Sequence, residues 1–559
     1  MSPNDAKQKT SLPDKPLLNP PQSAWLLWIQ QNTRTRQVLL FGIVIYAFAV
    51  LFWSAYSIGA FTSRLDGSLI NETSGSLENT LPNFQDRLVK DFPSGDLKTL
   101  KCVGWRSTRG CTPDGPRDPE QDQNCTQIIA RGESGYCVVE DTNSGERFRV
   151  MRRHCNSLIR DVPFRCKDAQ MFVDFRVEAD KTVQEAVQPD FKLPNANKSQ
   201  ETPRDGIVMV VYPKLLASAY ATIRVLRSVL YCALPIEIWY RPDEIKNHTI
   251  LNPLKHLAKT EGNITFQEIH DPRAKRFVAK IHAIYHSSFD RVLFLDADNV
   301  PVRDPSILFT SSEFIKTGAM FWPDFWHPDS TIFGINENAL LWELIDMPFV
   351  DMFEQESGQL LVDRTRHAAP LALVRFYALH RPDFFSSLRL VWGDKDLFRL
   401  AWLKLEVPFT MIQTPPGMAG IVYDSVLRSD FCGLTMVQHN VGGEILFLHR
   451  NQHKLTGKFT ENTEDSSFNE ENVDTVDEYA DPAIWTHLLR FRKESSRRNY
   501  AIQTFRLDLD FEANKKCFGR RDVYRNPNFY VQKMSAFDFS GLETLLRRFA
   551  LESMQSSYT

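Results

Sequence analysis

Two carboxylates one residue apart, Asp296 and Asp298, close the run FDRVLFLDADNVPVRDP. Strand alternation sets both on one side of an extended backbone, where they reach one hard cation directly or through water. A divalent metal held there can bind a diphosphate and neutralise its charge as it departs. A bare D-x-D is equally an acidic turn at a strand end. The apolar residues Val292 to Leu295 immediately upstream favour the chemical reading, because they place the pair at a sheet edge where ligands bind. Lys280 lies on the preceding helix, one position from the apolar Ile281, and can reach a phosphate or a ribose; a solvated lysine is the alternative. WGDKDLF supplies a second carboxylate pair, Asp394 and Asp396, and ESGQ adds Glu356 and Gln359.

The elements that must position these groups begin at Gly206. GIVMVVY (206–212) is a continuous apolar run of the kind that forms a buried parallel strand, and a helical stripe follows over 215–230. IEIW (236–239) and ITFQEI (264–269) read as strands, 274–285 as a helix and RVLFL (291–295) as the strand that ends at Asp296. The alternation predicts an α/β fold with a mostly parallel sheet, whose ligand crevice lies at the carboxyl ends of the strands.

Upstream, no charged residue occurs from 37 to 63, and the stretch 37–61 is apolar almost throughout, long enough to span a bilayer. A cleavable signal peptide is the rival, with an apolar region normally shorter and nearer Met1. Arg34 and Arg36 abut the span, while Asp66, Glu72, Glu78 and Asp86 follow it, which predicts a single-pass type II protein: a cytosolic tail at 1–36, a signal anchor at 37–61 and the rest lumenal. All nine Cys and the N-x-S/T acceptors at Asn71, Asn124, Asn197, Asn247 and Asn263 lie beyond the span, as a lumenal location requires. Residues 62–100 read as a stem and 101–170, with six Cys, as a disulfide-rich module of undetermined pairing; no C-x-x-C favours the alternative of a zinc site. The polar stretch at 171–205 reads as a linker, 206–559 as the working domain, and 460–478 as a solvated acidic loop. Cys232, Cys432 and Cys517 are odd in number, so at least one is free or pairs elsewhere. A charge balance of 66 Lys+Arg to 69 Asp+Glu weighs against nucleic-acid binding. Neither a Walker loop, G-x-S-x-G nor H-E-x-x-H occurs, against a nucleotide hydrolase, an α/β-hydrolase and a zincin.

Taken in order, KIHAIYHSSFDRVLFLDADNVPVRDPSILF, GAMFWPDFW, ESGQLLVDRTRH, WGDKDLFRLAW and MVQHNVGGEILFLHRNQHK resemble the fungal-type α-mannosyltransferases of glycosyltransferase family 71 over about 206–455. The Cys-rich stretch is outside the likeness. The resemblance implies a GT-A-like fold, GDP-mannose as donor, Mn²⁺, retention of anomeric configuration and a type II Golgi membrane enzyme acting on glycoprotein glycans, with room for a Golgi enzyme complex. On that footing Asp296 and Asp298 hold metal and diphosphate, and His449 of FLHRNQHK is the third ligand ahead of His453. Lys280 and Gln359 fall to the donor, while Asp394, Asp396 and Glu356 are candidates to steady an oxocarbenium-like transition state or attack it. Asp394 is the choice for contact with the donor mannose, against a plain helix N-cap. Trp322, Asp324 and Trp326 are candidates for the acceptor pocket, against a core role for the indoles. A UDP-sugar donor remains open, as does a catalytically inactive carbohydrate-binding or scaffold protein.

Overall fold

Strand Arg291–Leu295 lies near the middle of a seven-stranded sheet, and that position sets the site. The computed structural model describes residues 89–93, 95, 97–196, 202–245, 247–458, 479–506 and 516–555. The cytosolic tail, the 37–61 span, most of the stem, the acidic loop, Asn71 and Asn197 lie outside the described residues. Among the described residues no helix is long and apolar enough to cross a membrane.

The sheet runs Thr410–Met411, Ala319–Pro323, Gln355–Asp363, Arg291–Leu295, Asp205–Val211, Ile236–Tyr240, Ile264–Glu268. The last four strands are mutually parallel, and the continuous apolar runs of the two central ones, at 206–212 and 291–295, are of the kind such a buried position requires. Gln355–Asp363 runs antiparallel to both neighbours, so the sheet is mixed, but the other six strands share one direction and it is mostly parallel as expected. This reversed strand carries ESGQ, and it lays Gln359 opposite Leu295 and Gly358 beside the D-x-D. The helix expected at 274–285 spans Val278–His286, because Arg276 sits at φ +52°, a left-handed conformation that interrupts a helix. The helix expected at 215–230 is α-helical over Leu216–Arg224 and closes with a wider turn over Val225–Val229.

A second, largely antiparallel sheet contains Gly417–Asp424, Ser429–His439 and Ile445–His449. Its edge meets the first sheet's crevice: Asn299–Pro301, directly after the D-x-D, pairs with Ile445–His449, and Asn299 is opposite His449. Cys432–Cys517 staples this sheet and Cys232 is the free, buried thiol.

The Cys-rich stretch forms a four-stranded sheet, with Leu100–Thr108, Ser134–Asp141 and Arg147–Arg153 antiparallel, bound by Cys102–Cys125, Cys111–Cys155 and Cys137–Cys166. It is not a separate module. Its buried Trp105 and Phe164 belong to the same apolar core as Phe321, Phe398 and Trp402. The expected linker is likewise corrected over its first half. Ala169–Ala186 is an 18-residue helix whose Phe172, Val173, Phe175 and Ala179 are buried. Phe175 stacks on Tyr377 of helix Ala368–Leu379 at 5.8 Å, so burial of this stripe, not propensity, holds the helix in place. Glu343 joins the two regions by accepting the backbone N–H groups of Met151 at 2.8 Å and Arg152 at 2.7 Å.

Candidate functional site

Asp296, Asp298 and His449 each offer a ligand atom, and the three atoms lie within 4.8 Å of one another. The D-x-D is not extended: the Asn299 N–H donates to the Asp296 carbonyl at 2.9 Å, closing a turn. Convergence of the carboxylates therefore comes from the turn and not from strand alternation. Thr222 Oγ1 braces it by donating to the Ala297 carbonyl at 3.0 Å. Behind it, Asn299 donates through its amide to the Gly358 carbonyl (2.8 Å) and to Gln359 Oε1 (2.6 Å).

His449 Nε2 lies 3.3 Å from Asp298 Oδ1 and 3.9 Å from Asp296 Oδ2, while Nδ1 lies 3.5 Å from Glu356 Oε1. Burial disfavours charge on this imidazole, yet Asp298 and Glu356 outweigh it and push its pKa up to about 10. Burial also opposes ionisation of Asp298, but His449 and Lys454 hold its carboxyl well below the usual range. The donor set, two carboxylates and one imidazole backed by a carboxylate, fits a divalent cation of the Mn²⁺ type. A cation ligated by Nε2 takes the place of the proton there.

Glycine at 358 is a steric requirement of this arrangement. A Cβ there would lie 2.5 Å from His449 Nδ1 and 3.0 Å from Glu356 Oε1. Gly358→Ala is expected to displace the imidazole and weaken binding of a divalent cation by about 10- to 100-fold, the range seen when a group that orients a ligand is disturbed. Titration calorimetry checks this, and unchanged affinity would show that His449 is not held as a ligand.

Lys280 is buried and fully engaged. Its Nζ donates to the Ser357 carbonyl (2.7 Å) and Oγ (3.0 Å), and lies 3.3 Å from Asp296 Oδ2 and 3.4 Å from Asp394 Oδ2. Burial works against its charge, but Asp296, Asp394 and Glu356 raise its pKa. For Asp394 burial wins: its pKa rises to about 6 although Lys280 opposes the shift, since that one cation is shared with Asp296. Lys280 thus ties Asp394 to the D-x-D.

The other expected residues divide. Glu356 accepts the Gly358 N–H at 2.7 Å and backs His449, which suits it to position that imidazole. Burial opposes its charge, yet His449 and Lys280 bring its pKa to about 2. Gln359 is wholly buried and acts on the turn through Asn299, away from any donor. Asp396 is a core group: it accepts from Arg399 Nε at 2.6 Å and the Gln355 N–H at 3.0 Å. Trp322 is fully enclosed, its indole N–H donating to the His439 carbonyl at 2.8 Å, and Trp326 is buried among Phe325, Phe333 and Phe518. Neither offers a face to a sugar. Asp324 is paired with Lys395, and burial raises its pKa to about 7 against that cation. Sequence reasoning missed Ser357 and Lys454, which forms an ion pair with Asp298. Both stand inside the quoted motifs ESGQ and FLHRNQHK, where a polar residue beside a candidate was the available signal.

Residues 204–440 match the model of a family described as “Mannosyltransferase putative”. Among curated proteins, Alpha-1,2-mannosyltransferase MNN5 of Saccharomyces cerevisiae is 27% identical over 312 residues, 46% of this chain and 52% of that protein. Alpha-1,2-mannosyltransferase MNN24 of Candida albicans is 30% identical over 190 residues, 28% of this chain and 26% of its own. The chain thus spans about half the length of the first of these relatives, or less. Among solved structures, the mannosyltransferase Ktr4p from S. cerevisiae is similar at 11% identity, with 42% of this chain and 76% of that chain covered and a TM-score of 0.26. That superposition is too slight to place any residue.

Proposed function

We propose, on the premise that residues 204–440 belong to this mannosyltransferase family, that the chain is a retaining α-mannosyltransferase moving mannose from GDP-mannose to α-mannoside acceptors on glycoprotein glycans. One observation carries the reading: an Asp–Asp–His group, with Asp298 and His449 buried and Asp296 half-buried, stands at the carboxyl end of a central strand of an α/β sheet, where such sheets bind ligands. The architecture is that of a GT-A-like domain over 206–559, supported by the 101–170 sheet.

Asp296, Asp298 and His449 hold Mn²⁺. When bound, the ion supplies positive charge that stabilises the departing diphosphate. Glu356 fixes the His449 ring, and Gly358 leaves it room. Lys280 holds Asp296 and Asp394 in one frame. Asp394 accepts from a hydroxyl of the donor mannose and steadies positive charge developing at the anomeric carbon. Its partial protonation near pH 6 makes it responsive to pH in the range of the secretory pathway. Lys454, which pairs with Asp298 at the edge of the site, would donate to a diphosphate oxygen. The acceptor proton passes to the leaving diphosphate on the same face, so no separate general base is required.

The chain is a type II Golgi membrane protein in this reading, anchored by 37–61 with a stem at 62–100. Four disulfides and the exposed acceptors Asn124, Asn247 and Asn263 agree with a lumenal location. The test uses the full chain purified in detergent from a eukaryotic host. Release of nucleoside diphosphate from GDP-mannose, UDP-glucose and UDP-galactose is measured with an α-mannoside acceptor, with Mn²⁺ and with chelator. GDP release from GDP-mannose alone, lost on chelation, is the expected result; turnover of a UDP-sugar instead overturns the donor, and silence from folded protein overturns the enzyme.

A further inference from the structure

The indoles first assigned to an acceptor are enclosed, but the turn that carries Asp394 exposes another. Trp392 is 55% exposed and Phe277 is 50% exposed. Two large apolar rings are thus left in water at the border of a buried charge cluster. Gly393 lets Phe277 approach the turn next to Trp392. Its φ is +66°, and a Cβ there would lie 2.9 Å from the Phe277 ring, so Phe277 packs directly on the backbone of the turn.

The indole is also braced from behind. Phe333 stacks on it with centroids 5.7 Å apart and planes inclined by 26°. The Phe333 ring in turn carries Lys395 Nζ, 4.2 Å from its centroid, and that ammonium is paired with Asp324 and with Glu354 at 2.9 Å. A buried ion network therefore fixes the platform, which a merely solvent-exposed aromatic would not need. Two residues beyond Trp392, Asp394 lies 3.4 Å from Lys280, itself 3.3 Å from Asp296.

A rigid, half-open indole beside polar groups suits a ligand with one apolar face and a hydroxylated rim. A pyranose has that form: its ring C–H groups pack on the indole while its hydroxyls stay hydrated or reach the turn. We propose that Trp392, with Phe277 at its edge, is the platform on which the acceptor pyranoside stacks while it meets the donor sugar at Asp394. This rests on the glycosyl-transfer reading above, and in it Asp324 acts by anchoring Lys395, which supports Phe333.

Saturation-transfer NMR on the full chain, with methyl α-mannopyranoside and α-mannobiose as probes and methyl β-galactopyranoside for comparison, reads ring contact without requiring turnover. Transfer to the ring C–H protons of the mannosides is expected, lost in Trp392→Ala and partly kept in Trp392→Phe, at a melting temperature close to that of the parent. In the GDP-release assay Trp392→Ala should raise the acceptor KM by about tenfold or more and the donor KM far less, with a smaller rise for Phe277→Ala. Unchanged transfer and acceptor KM in Trp392→Ala would overturn the platform. Transfer that depends on Trp392 in a protein that turns over no mannose donor would sustain the platform and remove the mannosyltransferase reading.

Discussion

Asp298→Ala is expected to lower GDP release by a factor of about 10³ or more, the loss typical when electrostatic stabilisation of a leaving group is removed. Only 3% of the Asp298 side chain is exposed, against 27% for Asp296, so Asp298 is the more shielded of the two carboxylates. Its removal does more than subtract one ligand. The Asp298 carboxylate lies between His449 and Lys454, so its loss takes the ion-pair partner from Lys454 and the chief source of stabilising charge from the imidazole. The fold should survive, because the backbone carbonyl of Asp298, and not its side chain, accepts the Arg450 N–H at 2.9 Å just beyond strand Ile445–His449. Asp298→Asn keeps shape and one ligating oxygen, and should retain measurable but reduced Mn²⁺ affinity. Turnover rates, Mn²⁺ titration and a melting curve on the same samples separate these effects. A folded Asp298→Ala protein with parental turnover would remove the D-x-D from the mechanism.

The parts of this site legible in the sequence are those set by short-range pattern. RVLFL is a strand with the expected bounds because five residues ending in a carboxylate pair leave no other periodicity available. What the pattern did not carry was orientation. His449 entered through a family resemblance and not through its own spacing, since its place opposite Asn299 depends on a pairing between segments about 150 residues apart in the chain. Glu356 and Gln359 read as one polar cluster, yet strand alternation and the reversed direction of Gln355–Asp363 give them different tasks, one behind the imidazole and one behind the turn. Trp322 and Trp392 are chemically alike, and nothing local marks the first as core and the second as surface. The helix Ala169–Ala186 falls within the stretch that reads as a linker, because the polar, Pro- and Asn-rich run after it sets that reading. Its stability comes from the partner helix, a tertiary contribution that propensity does not contain.

The same tertiary logic makes Glu343→Ala the strongest expected change in stability. Glu343 lies on the short helix Leu340–Leu344 and its side chain is 10% exposed. It accepts two consecutive backbone N–H groups, of Met151 and Arg152, and pairs with Arg176 at 3.2 Å. Those donors belong to the disulfide-bound sheet and to helix Ala169–Ala186, so one carboxylate fastens both to the domain that carries the site. Alanine leaves two shielded N–H groups unsatisfied and one guanidinium without its partner, at a cost of about 3 kcal/mol or more. Glu343→Gln keeps one acceptor oxygen but turns an amide N–H₂ toward a donor, and should lose roughly half as much. Amide exchange at Met151 and Arg152 reads the contact itself, and a melting curve reads its consequence for the whole chain. If the Cys-rich stretch were an independent module on a tether, exchange would accelerate locally and the melting of the remaining chain would stay put. A shared core containing Trp105, Phe175 and Trp402 predicts the opposite. The two regions should then melt together in Glu343→Ala, at a temperature below that of the parent, with donor turnover falling as they do.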